Sequence, residues 1–247
     1  LFRLILVDFK RIVLSSLQQK RWWFMRIYFV FLFLILWGFN LKGQILASQN
    51  FSSEFETAYT AFPDIPRGIL EGVAYAQTRI THITGNNEGC IGLPQVSGVM
   101  GLTEDGKNYF DNNLILVSQL SDISVSAIKT SPQQNIYAYA AAYHYLLEEF
   151  LNDPILNPPL TADNMKTHEM VLRALSEIPK DKNAANQFAL DCFTFEVFRF
   201  MNDPLRQAQF NFPQHNLNLT ELYGEENLRA IAQLKKGGIL LSAHIGN

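Results

Sequence analysis

Ile65-Pro66-Arg67-Gly68-Ile69-Leu70-Glu71-Gly72-Val73-Ala74-Tyr75-Ala76-Gln77-Thr78-Arg79-Ile80 is the most informative segment of the chain. Leu70, Val73, Gln77 and Ile80 recur at intervals of three and four, so a helix opened by Pro66 carries an apolar stripe with one amide on it. Glu71 lies six residues before Gln77, about 240° around such a helix, and so faces another way.

Outward from this stretch the text stays helical. Ser53 and Glu56 have the spacing of a capping box ahead of Phe55, Tyr59 and Phe62, which predicts a short helix ending near Ala61, before Pro63. Thr84 to Ser97 is rich in Gly, Asn and Pro without periodicity and reads as a long loop. Tyr109 to Leu120 regains a helical stripe through Phe110, Leu114, Val117 and Leu120. Ser131-Pro132-Gln133-Gln134 is a second capping box, and it opens a long helix through Ile136, Ala140, Tyr143, Leu147 and Phe150. Helices are also predicted over Ala162 to Glu177 and Ala184 to Asn202, with Asp203-Pro204 ending them. From Gln207 the text changes to Phe212-Pro213 and repeated Asn, then a short helix near Glu225 to Leu234 and a strand-like run at Ile239-Leu240-Leu241.

Gly98-Val99-Met100-Gly101-Leu102 follows Gln77 by 21 residues, and Asn135, in Ser131-Pro132-Gln133-Gln134-Asn135-Ile136, follows Gly98 by 37. Together with Tyr143-His144-Tyr145-Leu146, these segments in this order resemble the lysozyme-like domain of lytic transglycosylases, well over about residues 62–150 and faintly over 170–201. The resemblance implies an all-α fold, a lysozyme-like helical domain over residues 51–204, and the change of text after it makes 205–247 a short mixed α/β tail, read as linker and start of an incomplete second domain. It implies that Gln77, Gly98, Met100, Asn135 and Tyr139 contact a glycan. Gln77 stands where that family carries its catalytic glutamate. Glycosidic cleavage needs a carboxylic acid that still holds its proton near neutral pH, and an amide has none to give. No catalytic residue is therefore expected at this position, with Glu88 and Glu104 as substitute acids. Gly101 replaces the family's usual glutamine, and the later "Ala-x-Tyr-Asn-x-Gly" segment has no clear counterpart.

A closer resemblance is to exported wall proteins in which such a domain precedes a zinc-dependent N-acetylmuramoyl-L-alanine amidase. Leu175-Ser176-Glu177-Ile178-Pro179 and Asn216-Leu217-Asn218-Leu219 look like their connecting region, and the amidase itself would lie beyond Asn247. The function expected is the non-catalytic, peptidoglycan-binding part of a cell-wall amidase. One alternative is an active lytic transglycosylase or muramidase working through a substitute acid. A third reading comes from Gly237 to Asn247, which resembles the catalytic segment of lipid A acyltransferases and would make the chain a truncated, membrane-anchored enzyme of that class.

Charge is unevenly spread along the chain. Residues 1–44 hold seven of the 20 Lys and Arg and one of the 23 Asp and Glu, so the remainder is acidic, which argues against nucleic acid as a partner. Arg26 precedes an unbroken apolar run from Ile27 to Trp37, followed by Gly38 and small or polar residues to Ala47. That is the layout of a signal peptide over residues 25–47, with residues 1–24 an untranslated or disordered extension and only transient contact with the membrane. An uncleaved anchor over Trp22 to Leu41 stays open. The expected location is the periplasm or cell envelope. Cys90 and Cys192 could pair after export or remain thiols. His82, His144, His168, His215 and His244 lack compact zinc spacing, so neither metal nor cofactor is expected in this segment.

Overall fold

The computed structural model describes residues 50–84, 94–105, 109–155 and 160–236. The signal-peptide segment, Glu88, Cys90, the Ile239-Leu240-Leu241 run and His244 lie outside these residues.

Among the described residues the fold is all-α with one small hairpin. In chain order the elements are α1 (Ser52–Ala61), α2 (Ile69–Thr78), β1 (Gln95–Ser97), β2 (Leu102–Glu104), α3 (Asn113–Ser121), α4 (Val125–Thr130), α5 (Pro132–Leu151), α6 (Met165–Leu175), α7 (Ala184–Met201), α8 (Pro204–Phe210) and α9 (Leu219–Lys236). Helix α5 is the axis of the core and touches α1, α3, α4 and α6, while α2 packs on α7. Its alanines Ala138, Ala140 and Ala142 are fully buried, and its large side chains Ile136, Tyr139, Tyr143 and Leu147 fill the space between the neighbours. Small and large residues thus alternate along the helix, which is how facing elements reach close packing. Where α2 crosses α7, a Cβ at Gly72 would stand 3.0 Å from the Val197 side chain and 3.1 Å from its carbonyl, so glycine lets the two helices pack closely.

The start of α5 follows its sequence. Ser131 Oγ accepts from the Gln134 N–H at 3.3 Å and Pro132 occupies the first turn, where its missing N–H costs nothing. The expected box at Ser53 and Glu56 does not form. Helix α1 begins after Phe51, which is left-handed (φ 44°), with no side-chain cap. The Glu56 carboxylate instead makes a two-pronged pair with Arg67 at 2.6 and 2.8 Å, a charge-assisted arrangement stronger than a bond to a backbone N–H. Nor does Pro66 open α2. The chain turns through Gly68 (φ 98°), and the buried Tyr59 hydroxyl accepts the N–H groups of Gly68 (2.9 Å) and Leu70 (3.1 Å) while donating to Glu71 at 2.5 Å. A side chain from the previous helix therefore satisfies donors left over at the start of α2.

Part of the expected loop from Thr84 to Ser97 is a hairpin. Ile83 and Gly98 exchange two backbone hydrogen bonds at 3.2 and 2.8 Å, and β1 pairs antiparallel with β2 in the register Gln95 to Glu104, Val96 to Thr103 and Ser97 to Leu102. Strands of three residues are too short to show alternation. The short helix α4, capped by Ser124, was equally hidden. Asp203-Pro204 does not end the helices: the Asp203 carboxylate accepts from the Leu205 N–H at 2.9 Å and Pro204 becomes the first residue of α8.

Residues 205–236, where the text reads as a linker, lie on the helical body and contain no strand. Asn202 makes two hydrogen bonds to Leu217, at 2.9 and 2.8 Å, Phe212 covers Gly68, and His215 Nε2 lies 2.8 Å from the Arg67 carbonyl. Tyr223 donates to Thr194 at 2.9 Å, just before α9 breaks at Gly224 (φ 75°).

Candidate functional site

Gln77 sits near the C-terminal end of α2, half-buried. After it the chain leaves the helix through two consecutive left-handed residues, Arg79 (φ 56°) and Ile80 (φ 59°). For an isoleucine this is a sparsely populated conformation that only surrounding contacts can hold. The Arg79 guanidinium lies over the Tyr75 ring at 4.7 Å, and the Thr78 hydroxyl is 2.6 Å from the Val99 carbonyl, so the end of α2 is bound to the hairpin turn.

That turn, Gly98-Val99-Met100-Gly101, presses directly on Gln77. Gly101 has φ 66°, and a Cβ there would stand 2.5 Å from the Gln77 Cβ, so no larger residue fits. Gly98 (φ 79°) lies so close to Asn135 that a Cβ would fall 1.9 Å from its Nδ2. Asn135 is fully buried and ties three segments together: its Oδ1 accepts from the Met100 N–H at 2.7 Å, and its Nδ2 donates to the Ile128 carbonyl at 3.2 Å from its own place on α5. One turn further along α5 is Tyr139, 2% exposed.

The fourth wall comes from a segment the sequence reading assigned to a connecting region. Directly after α6, Glu177 turns its carboxyl to Gln77, whose Nε2 donates to Glu177 Oε2 at 3.0 Å. The backbone around Glu177 is fastened on both sides. Its carbonyl accepts from the Asp111 N–H at 2.7 Å, Asn113 Nδ2 donates to the Leu175 carbonyl at 2.9 Å, and Lys180 bridges Asp111 and the Ser176 carbonyl at 2.6 Å each. Glu177 is 7% exposed. Burial pushes its carboxyl above the usual range, against the opposing pull of its own backbone, the Gln77 amide and Lys180. Burial and the nearby Glu177 likewise push the Tyr139 hydroxyl upward.

The sequence-predicted residues Gln77, Gly98, Met100, Asn135 and Tyr139 thus meet around one junction, with unequal parts. Met100 and Asn135 are buried at 1% and 0% exposure, so they hold the turn and do not line a surface. Glu104 ends β2 with its side chain 46% exposed and paired with Lys129. Glu71, as its position on the helix required, is buried elsewhere against Tyr59, and burial raises it too. Glu177 was missed because 100 positions separate it from Gln77 and nothing local marks it.

The described histidines have other partners or surroundings. His168 is buried with Nδ1 2.9 Å from the Tyr143 hydroxyl and Nε2 2.7 Å from the Ala162 carbonyl, and His144 Nδ1 lies 2.8 Å from Asp64. Among the described residues no three His, Cys, Asp or Glu side chains are grouped to hold a metal ion, and no helix is long and apolar enough to cross a membrane. Cys192 lies half-buried on α7. No protein-family model, curated protein or solved structure significantly matches the chain.

Proposed function

We propose that this chain is the wall-engaging part of an exported N-acetylmuramoyl-L-alanine amidase, and that its helical domain binds the glycan strands of peptidoglycan through the junction around Gln77 without a cofactor. The observation that carries this reading is the convergence of three separate motifs. The Gly98 to Gly101 turn touches Gln77 through Gly101 and Asn135 through Gly98 and Met100, although 58 positions separate Gln77 from Asn135. The acidic body argues against nucleic acid as the partner.

The test is co-sedimentation of the chain with isolated peptidoglycan, using an unrelated insoluble polysaccharide as control. Retention on the wall material alone, lost in a folded Gln77→Trp variant that fills the junction, is the expected result. Equal recovery with both polymers would refute the reading. Export makes a separate prediction from Arg26 and the Ile27 to Trp37 run: the mature protein begins between Gly43 and Asn50. Recovery of the intact apolar segment from membranes by N-terminal sequencing would overturn it.

A further inference from the structure

We propose that Glu177 is the proton donor of this junction, so that the domain cuts the glycan it binds. The inference takes its substrate class from the peptidoglycan reading above; the carboxyl comes from the structure. Glu177 lies 3.0 Å from Gln77, against the one polar side chain of the α2 stripe. It bonds a neutral amide, whereas Glu169, the buried carboxylate nearest along the chain, is neutralised by ion pairs to Lys166 and Arg173 at 2.5 and 2.8 Å. Glu71 is occupied by the buried Tyr59 hydroxyl. Arg79 and Ile80, neither a glycine, have positive φ two and three residues after Gln77. Strain of this kind concentrates at functional sites.

The chemistry needs one carboxyl and water. The Glu177 proton passes to the oxygen joining two sugars, and the bond from the anomeric carbon to that oxygen breaks, its electron pair leaving with the oxygen as a free hydroxyl. Water closes on the anomeric carbon and its proton returns to the Glu177 carboxylate, so nothing is oxidised or reduced. Burial keeps the carboxyl protonated at higher pH than a surface glutamate. Gln77 is a positioning residue: its N–H donates to the Glu177 carboxylate that forms when the proton leaves.

The experiment uses the whole chain and isolated peptidoglycan, and measures protein retained on the wall pellet and soluble muropeptides released, over roughly pH 4 to 9, which brackets the range a buried carboxyl can reach. Wild type is expected to bind and to release muropeptides. Glu177→Gln, folded by circular dichroism, is expected to bind while release falls by about 100-fold or more, the scale of general acid catalysis. Gln77→Ala removes a donor that favours the carboxylate, so the alkaline limb of its pH profile is expected to move upward, a shift that a purely structural role for Gln77 would not produce. Wild type that binds without releasing muropeptides at any pH overturns the inference and leaves the binding reading intact. Undiminished release by Glu177→Gln also overturns it, since another acid then does the work. If Glu177→Gln does not fold, a folded Glu177→Asp with unchanged rate and profile overturns it. Absence of both binding and release overturns the peptidoglycan reading itself.

Discussion

Gln77→Glu sets a second carboxyl group at the junction, and the structure makes its outcome specific. The Gln77 amide nitrogen is 3.0 Å from Glu177 Oε2, so the variant sets two carboxyl groups in direct contact where one donor met one acceptor. Two full charges at that separation repel by about 5 kcal/mol at an effective dielectric of 20, and they avoid this by sharing one proton. The cost at neutral pH is then that of keeping the proton, about 1.4 kcal/mol for each unit by which the pair is raised. A loss of about 2–4 kcal/mol relative to wild type at pH 8 is expected, fading toward pH 4. The sign follows from linkage. The folded pair holds its proton to higher pH than the unfolded chain, so its stability is complete below the ordinary carboxylate range and falls as pH rises through the folded value. The assay is urea denaturation of wild type, Gln77→Glu and the exchanged pair Gln77→Glu with Glu177→Gln, each at pH 5 and pH 8. The exchanged pair restores one carboxyl facing one amide and should recover most of the loss. If Gln77→Glu matches wild type at pH 8, or the exchanged pair is no more stable than the single variant, the contact between these side chains does not govern the junction.

Three other outcomes follow from the same contacts. Glu177→Gln should raise stability at pH 8 and flatten its decline between the ordinary carboxylate range and neutrality, because a buried group with a raised pKa is removed, and thermal melts across pH measure this. Tyr59→Phe strips the partner from two backbone donors and from Glu71 at once, and a loss of about 3 kcal/mol or more is expected in urea titrations, with a surface change such as Thr60→Ser as control. Gly98→Ala should be far worse than Gly224→Ala: both have positive φ, costing about 1–2 kcal/mol, but the first adds a Cβ 1.9 Å from Asn135 and the second meets nothing within 4 Å, so similar melting temperatures for the two would contradict the geometry.

Features that depend on neighbours along the chain were legible before folding was considered. The periodic stripes of α2, α5 and α7 and the Ser131-Pro132 start of α5 could be read directly, because helix formation and capping involve residues three and four apart. Features that depend on a partner far along the chain came only with packing. Glu56 had the spacing of a cap and went to Arg67, because a guanidinium 11 positions away offered a stronger bond. The donors at Gly68 and Leu70 found a tyrosine hydroxyl from another helix, and Asp203-Pro204, which reads as a stop, became a start. The carboxyl facing Gln77 belongs to the same group. Glu177 follows α6 with no periodic or capping signature, and its burial and its raised proton affinity exist only because α2, α3, α5 and α6 close around it. Only folding can set Glu177 against Gln77, since desolvation and a contact 100 positions apart are properties of the packed state.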